Sequence, residues 1–173
     1  LRLIRSANIG PVTYVQLLRR FGSAAAALEA IPHLAARAGG KTPRLASLED
    51  VRREIDDVAR AGARPLFLGE PDYPRLLAEI DTAPPVLTVR GDAALANRSC
   101  VAIVGARNAS AAACRFAREL ATGLAREGVV VVSGLARGID TNAHVGSLDG
   151  GTVGVIASGI DIAYPPENAA LQD

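Results

Sequence analysis

The sequence predicts an α/β chain: a small all-helical domain over residues 1–63, then a mostly parallel sheet with helices over residues 64–173. Three observations predict it. Apolar residues at helical spacing and helix stop signals fill the first part. From Arg64 onward, short apolar runs are bounded by Pro and Gly. Finally, apolar runs at Val101–Val104, Val129–Val132 and Thr152–Ala157 alternate with two helical segments, which is the pattern of a parallel sheet covered on both faces.

The helices of the first part follow from local signals. Val12, Val15, Leu17, Leu18 and Phe21 cluster at helical spacing, and Gly22 can end that helix. Ser23 caps a second helix, Ala24–Ala30, that stops before Pro32; a third short helix covers His33–Ala38. Residues 39–43 form a turn cluster. Ser47 and Asp50 occupy the cap and third helical positions of a capping box, with Asp in place of Glu, and the helix runs to about Ala61 before Gly62.

In the second part, Pro65–Leu68 and Val86–Val89 are short strands separated by a turn at Pro71–Pro74 and a helical turn at Arg75–Ile80. The regular section follows: strand Val101–Val104, helix Ser110–Glu127, strand Val129–Val132, helix Gly138–Leu148 and strand Thr152–Ala157. No internal repeat interrupts it.

A length of 173 residues suits one or two small domains, each with its own core. The chain is 49% hydrophobic and only 3% aromatic, without Trp, so it is aliphatic and globular. Lys41 is its only lysine. A GC-rich coding bias is the simpler reading, although arginine's planar fork also suits phosphate. Net charge is +1, which does not advertise a nucleic-acid partner; an anion site must be local. Cys100 and Cys114 have no metal spacing and read as small buried hydrophobes in a reducing cytosol, so a cytoplasmic location is expected. No apolar run reaches the roughly 18 residues that would span a membrane. No signal peptide opens the chain. The chain lacks methionine, so Leu1 is not expected to be the native start, and the end at Asp173 is expected to be artificial too.

Three loops follow the parallel strands, at the position where open α/β sheets bind ligands. The first is Val104–Ser110. Gly105 admits close backbone approach, Arg107 can grip a phosphate with its fork, and Ser110 caps a helix whose free amides attract anions. It matches neither the dinucleotide fingerprint nor the P-loop, so no cofactor and no NTPase is implied. A tight turn with a solvated arginine is the competing reading. The second loop places Ser133, Gly134, Arg137 and Gly138 at the equivalent position, so two neighbouring loops would line one crevice and grip successive phosphates. The third carries Ser158 and Gly159, with Tyr164 free either to stack a base or to pack; Phe116 is expected to face the core.

Asp140 and His144 lie four apart and share a helix face. They read as an acid/base or metal pair, or as a carboxylate that caps loop amides beside a packed histidine. The second reading is favoured, because no third ligand has metal spacing and no nucleophile motif points there.

The loops, in this order and spacing, resemble the DprA/Smf family of bacterial DNA-processing proteins. The matching stretches are Val101–Ser110, Val132–Asp140 with His144, and Gly159–Asp161 followed by Tyr164-Pro165 and Asn168. Residues 71–77 through 84–87 to 90–92 are similar to the family's lead-in. Ile9-Gly10-Pro11 and Arg20-Phe21-Gly22 resemble its amino-terminal domain.

The resemblance implies a Rossmann-like domain over residues 64–173, unfinished at its carboxyl end, preceded by a SAM-like helical domain. It implies a non-enzymatic protein that binds single-stranded DNA, protects incoming DNA and loads RecA in natural transformation, dimerising through the Rossmann-like domain. Gly105, Arg107, Ser110, Ser133, Gly134, Arg137, Gly138, Ser158 and Gly159 are the expected DNA-binding residues, with Arg107, Ser110 and Arg137 standing where the family grips the backbone. Ala106 departs from the usual serine, and Ala112-Ala113-Cys114 from a frequent Tyr-Gly. A nucleotide phosphoribohydrolase is the alternative, although the Pro-Gly-Gly-x-Gly-Thr loop of such enzymes is absent. The helical domain reads equally as a DNA-contacting helix–hairpin–helix element or as a structural cap.

Overall fold

Helix α1 (Pro11–Phe21) starts on Gly10 with proline at its first position, where no N–H partner is needed, and stops at Gly22, whose φ of 75° lets its amide reach the Leu18 carbonyl at 2.8 Å. The computed structural model containing it describes residues 1–173 apart from Ala38, Gly40 and Thr42. Contacts divide the chain into two compact units, Leu1–Arg90 and Gly91–Asp173.

In the first unit, α2 spans Ala24–Arg37 as one helix, with Ser23 Oγ accepting the Ala26 amide at 3.2 Å. The expected break at Pro32 does not occur. A mid-helix proline costs about 3 kcal/mol in lost bonding and clash. Here the helix carries the fully buried Ala27 and the 6% exposed Ile31 into a core with Leu3, Ile9 and Tyr14, and that packing opposes the penalty. Ala38, the expected end of a separate third helix, lies outside the described residues, as do Gly40 and Thr42 of the turn cluster.

Helix α3 (Leu48–Arg60) starts on Ser47, whose hydroxyl oxygen accepts the Asp50 amide at 3.0 Å as the capping-box pattern requires. Arg5 pairs with Glu54 of α3 at 2.6 Å and ties the amino-terminal segment to it. Strands β1 (Ala63–Phe67) and β2 (Val86–Arg90) form an antiparallel pair with Ala63 opposite Arg90. Between them the short α4 (Arg75–Ala78) follows Tyr73, whose buried hydroxyl donates to the Pro84 carbonyl at 2.7 Å.

The second unit is the α/β body. After a 3-10 turn at Ala93–Asn97 come β3 (Cys100–Ala102), α5 (Ala111–Arg126), β4 (Val130–Ser133), α6 (Ile139–Ser147), β5 (Thr152–Gly154) and, after a 3-10 turn at Pro166–Asn168, the short α7 (Ala169–Gln172). The strands are parallel in the order β3-β4-β5, in agreement with the expected mostly parallel sheet. Both crossovers advance in the same direction, so right-handed connections place α5 and α6 on the same face. There Ala121 and Leu124 of α5 and Ile139 and Ala143 of α6 close one core over Ile103 and Val131.

The expected covering of both faces is therefore not met among the described residues: Ala102 is exposed, and Val104 and Val155 are 76% and 61% exposed. Helices reach the second face of such a sheet only where strand order reverses. Phe116 also differs from expectation, being 67% exposed. Ala117 and Ala121, one turn apart, take the inward face of α5 and leave Phe116 and Leu120 outward. Both cysteines are free and half-buried.

Candidate functional site

The three parallel strands end on one edge, and the loops that leave them pack directly on one another. A Cβ on Gly105 would lie 2.6 Å from Ile139 Cγ1, so the missing side chain at Gly105 makes room for the first residue of α6. Gly138 has φ 76°, and a Cβ there would meet the Ala106 carbonyl oxygen at 2.3 Å and that of Arg107 at 2.6 Å. The Ile139 amide donates to the Ala106 carbonyl at 3.3 Å. These two glycines fuse the loops that carry Arg107 and Arg137.

The second loop is pinned at almost every residue. Asp140, 6% exposed, accepts the Gly134 amide through Oδ2 at 3.2 Å, and Gly134 has no side chain to obstruct it. Leu135 sits at φ 57°, a left-handed conformation that a leucine holds only when its surroundings impose it. Its carbonyl accepts from Asn168 Nδ2 at 2.7 Å, and the same amide group donates to Thr141 Oγ1 at 2.8 Å. Thr141 in turn donates to the Ala136 carbonyl at 2.7 Å, and Asn142 to the Gly138 carbonyl at 2.9 Å.

Arg107, Asn108, Ala136, Arg137, Tyr164 and Pro165 line an open cleft of about 220 Å³ on this base. Both expected arginines therefore reach one cleft, and both are exposed. Arg137 donates from Nε to Glu167 Oε1; this contact raises the Arg137 pKa and lowers that of Glu167. The fork has a carboxylate partner where the expected ligand is a phosphate.

The other nominated residues fall in different places. Ser110 caps α5, its oxygen accepting the Ala113 amide at 3.2 Å, which by helix geometry leaves the Ala111 and Ala112 amides as the orphan donors of the first turn. Ser133 is 3% exposed and donates to the Ile103 carbonyl at 2.7 Å, a tie between β4 and the chain beyond β3, beneath the loops. Ser158 donates to the Ile162 carbonyl at 3.2 Å, and Gly159 accepts from Ile162 at 2.9 Å, so the start of the third loop folds on itself and does not line the cleft. Asn108, Ala136 and Pro165 went unnominated. Asn108 carried a signal, as the polar residue directly after the arginine of an exposed loop; Ala136 carried none.

The Asp140–His144 pair takes the capping and packing arrangement. His144 is 1% exposed, with Nδ1 2.7 Å from Thr152 Oγ1. Thr152 spends its own proton on the Val131 carbonyl at 2.9 Å, which makes His144 Nδ1 the donor. His144 Nε2 is buried without a partner. Burial lowers the His144 pKa, and the Ser133 carbonyl and the Asp140 charge oppose that shift. Among the described residues no cluster of three or more His, Cys, Asp or Glu could hold a metal ion, and no helix is long and apolar enough to cross a membrane.

Fold and cleft together define a class: parallel α/β proteins whose strand-end loops line a cleft at the carboxyl edge of the sheet. The chain belongs, more narrowly, to the DprA/Smf family: the family model described as DNA recombination-mediator protein A matches residues 64–173, and one described as DprA-like N-terminal HHH domain matches residues 1–56. The antiparallel β1–β2 pair thus falls, apart from Ala63, within the recombination-mediator match in sequence, while its contacts lie with the first compact unit.

The chain is 43% identical over 103 residues to the DNA processing protein DprA of Streptococcus pneumoniae, covering 58% of this chain and 36% of that one. It is 42% identical over 117 residues to Protein Smf of Synechocystis, covering 62% and 29%. The crystal structure of the Streptococcus pneumoniae DprA superposes with a TM-score of 0.65 at 30% identity, over 87% of this chain and 47% of that chain. The matches thus span about a third of each of these curated relatives and about half of the solved structure.

Proposed function

We propose that the cleft between Arg107 and Arg137 holds the phosphate backbone of single-stranded DNA. Convergence carries the reading: two exposed arginines from successive strand-end loops line one cleft, on loops fused through Gly138 and pinned by Asn168. Rigid placement matters because a bidentate arginine contact needs the fork held in position. Ser110 adds the amino end of α5 as a further anion donor. In this reading Gly105, Gly134, Gly138 and Ser133 shape the loops from behind. Ser158 and Gly159 set the third loop without touching the strand.

The relatives' name, DNA processing protein, and the family's description as a recombination mediator support DNA as the ligand. Protection of incoming DNA, RecA loading in natural transformation, dimerisation and a cytoplasmic location follow from the family resemblance. The protein acts as a binding module, with neither Asp140 nor His144 lining the cleft.

A labelled dT oligonucleotide titrated by fluorescence anisotropy tests the reading. Arg107→Ala and Arg137→Ala each weaken binding, and the double variant weakens it further. Wild-type affinity in the double variant contradicts the assignment. Release of base from a nucleoside monophosphate, abolished in Asp140→Asn, would replace it with the hydrolase alternative.

A further inference from the structure

The cleft has one wall that phosphate does not explain. Tyr164 is 66% exposed and lines the cleft beside Arg107, Asn108 and Arg137. Leaving so large a ring in water forgoes the stabilisation that burial would bring. The ring is not carried on a loose loop. Pro165, directly after it, is buried, and its carbonyl accepts the Asn168 amide at 3.0 Å. Asn168, three residues on, is 7% exposed and donates to Leu135 and Thr141 of the second loop and α6. The segment therefore holds an aromatic face in water within the cleft that contains the two cations.

We propose that Tyr164 is a base-stacking platform: while Arg107 and Arg137 hold phosphates, the ring takes the face of an adjacent unpaired nucleobase. The inference rests on the phosphate-binding reading above and extends it from the backbone to the base. An unpaired base leaves its face free for an aromatic side chain, whereas a duplex buries that face in its own stack. Every base offers a π-face, so the subsite tolerates sequence while selecting single strands. Ala136, which lines the same cleft, is small enough to leave room beside the ring.

The chain provides its own reporter. It has no Trp, and of its three tyrosines Tyr14 and Tyr73 are 7% and 3% exposed, so quenching of tyrosine emission by an added oligonucleotide reports Tyr164. The probes are a dT oligonucleotide and an abasic oligonucleotide of the same length, with identical phosphates and no bases. Wild type is expected to bind dT about 5- to 150-fold more tightly than the abasic strand, the range for one aromatic–base stack. Only dT should quench the emission. Tyr164→Ala should lose that preference and keep wild-type affinity for the abasic strand; Tyr164→Phe should keep the preference.

Equal wild-type affinity for the two strands, or undiminished dT affinity in Tyr164→Ala, overturns the stacking role while the arginine grip stands. Failure of wild type to bind either strand overturns the phosphate reading, and this inference with it.

Discussion

Arg137 Nε donates to Glu167 Oε1, so one of the two cleft arginines holds an acidic partner from the third loop. Phosphate and carboxylate present similar paired oxygens to a guanidinium, and the two must compete for it. Glu167→Gln keeps the shape and removes the competitor. Its affinity for a dT oligonucleotide at low salt should rise about two- to five-fold, the modest scale of exposed ion pairs, with the gain fading as salt screens it. Weaker binding by Glu167→Gln would show that Glu167 orients Arg137 rather than competing for it.

Gly138 joins the two arginine loops, and a methyl group has no room there. A Cβ would approach the Ala106 and Arg107 carbonyl oxygens to 2.3 and 2.6 Å, at a φ of 76° that alanine avoids. Gly138→Ala should cost about 2–4 kcal/mol by urea unfolding, combining backbone strain and steric overlap. A change below about 0.5 kcal/mol, the ordinary surface range, would contradict this packing.

Asn168 holds the third loop to the second. Asn168→Ala leaves the buried Leu135 carbonyl without its 2.7 Å donor, for a loss of about 1–3 kcal/mol. Asn168→Asp faces that carbonyl with an acceptor and should be worse at neutral pH than at pH values where the carboxyl is protonated. Equal stability of the two variants and wild type would remove the clamp.

His144 makes stability depend on pH. In the unfolded chain an imidazole takes a proton near pH 6.5. Burial depresses the folded value, so below about pH 6.5 the unfolded state binds more protons than the folded state. The His144 contribution is therefore full above about pH 6.5 and falls as the pH drops through it towards the depressed folded value. The Glu167 shift has the usual carboxylate sense: its contribution is present above about pH 4.3 and is lost below, in a separate window. Urea midpoints from pH 8 to 5 should decline for wild type and decline less for His144→Gln. A flat wild-type profile contradicts the account.

Local chemistry made most elements legible. Gly22 and Ser47 announced helix ends that the structure reproduces, and the three apolar runs announced the parallel strands. Pro32 misled because burial of Ala27 and Ile31 outweighs a local break signal, and Phe116 misled because one step along a helix turns a side chain by about 100°. Arg107 and Arg137 were readable from their places after strands. Loop geometry was not: Ser133 ends inside the sheet region, Ser158 turns back on Ile162, and Tyr164 and Pro165 reach the cleft because Asn168 draws their segment to Leu135. Those outcomes depend on contacts between distant residues, which spacing does not encode.

In the proposed function, Arg107 and Arg137 each neutralise a phosphate of one strand. The most direct measurement is the slope of log binding constant against log salt for wild type and for the Arg107→Ala/Arg137→Ala variant on a dT oligonucleotide. Each phosphate contact to a single strand contributes about −0.7, so the two slopes should differ by about 1.4. Indistinguishable slopes would contradict the claim.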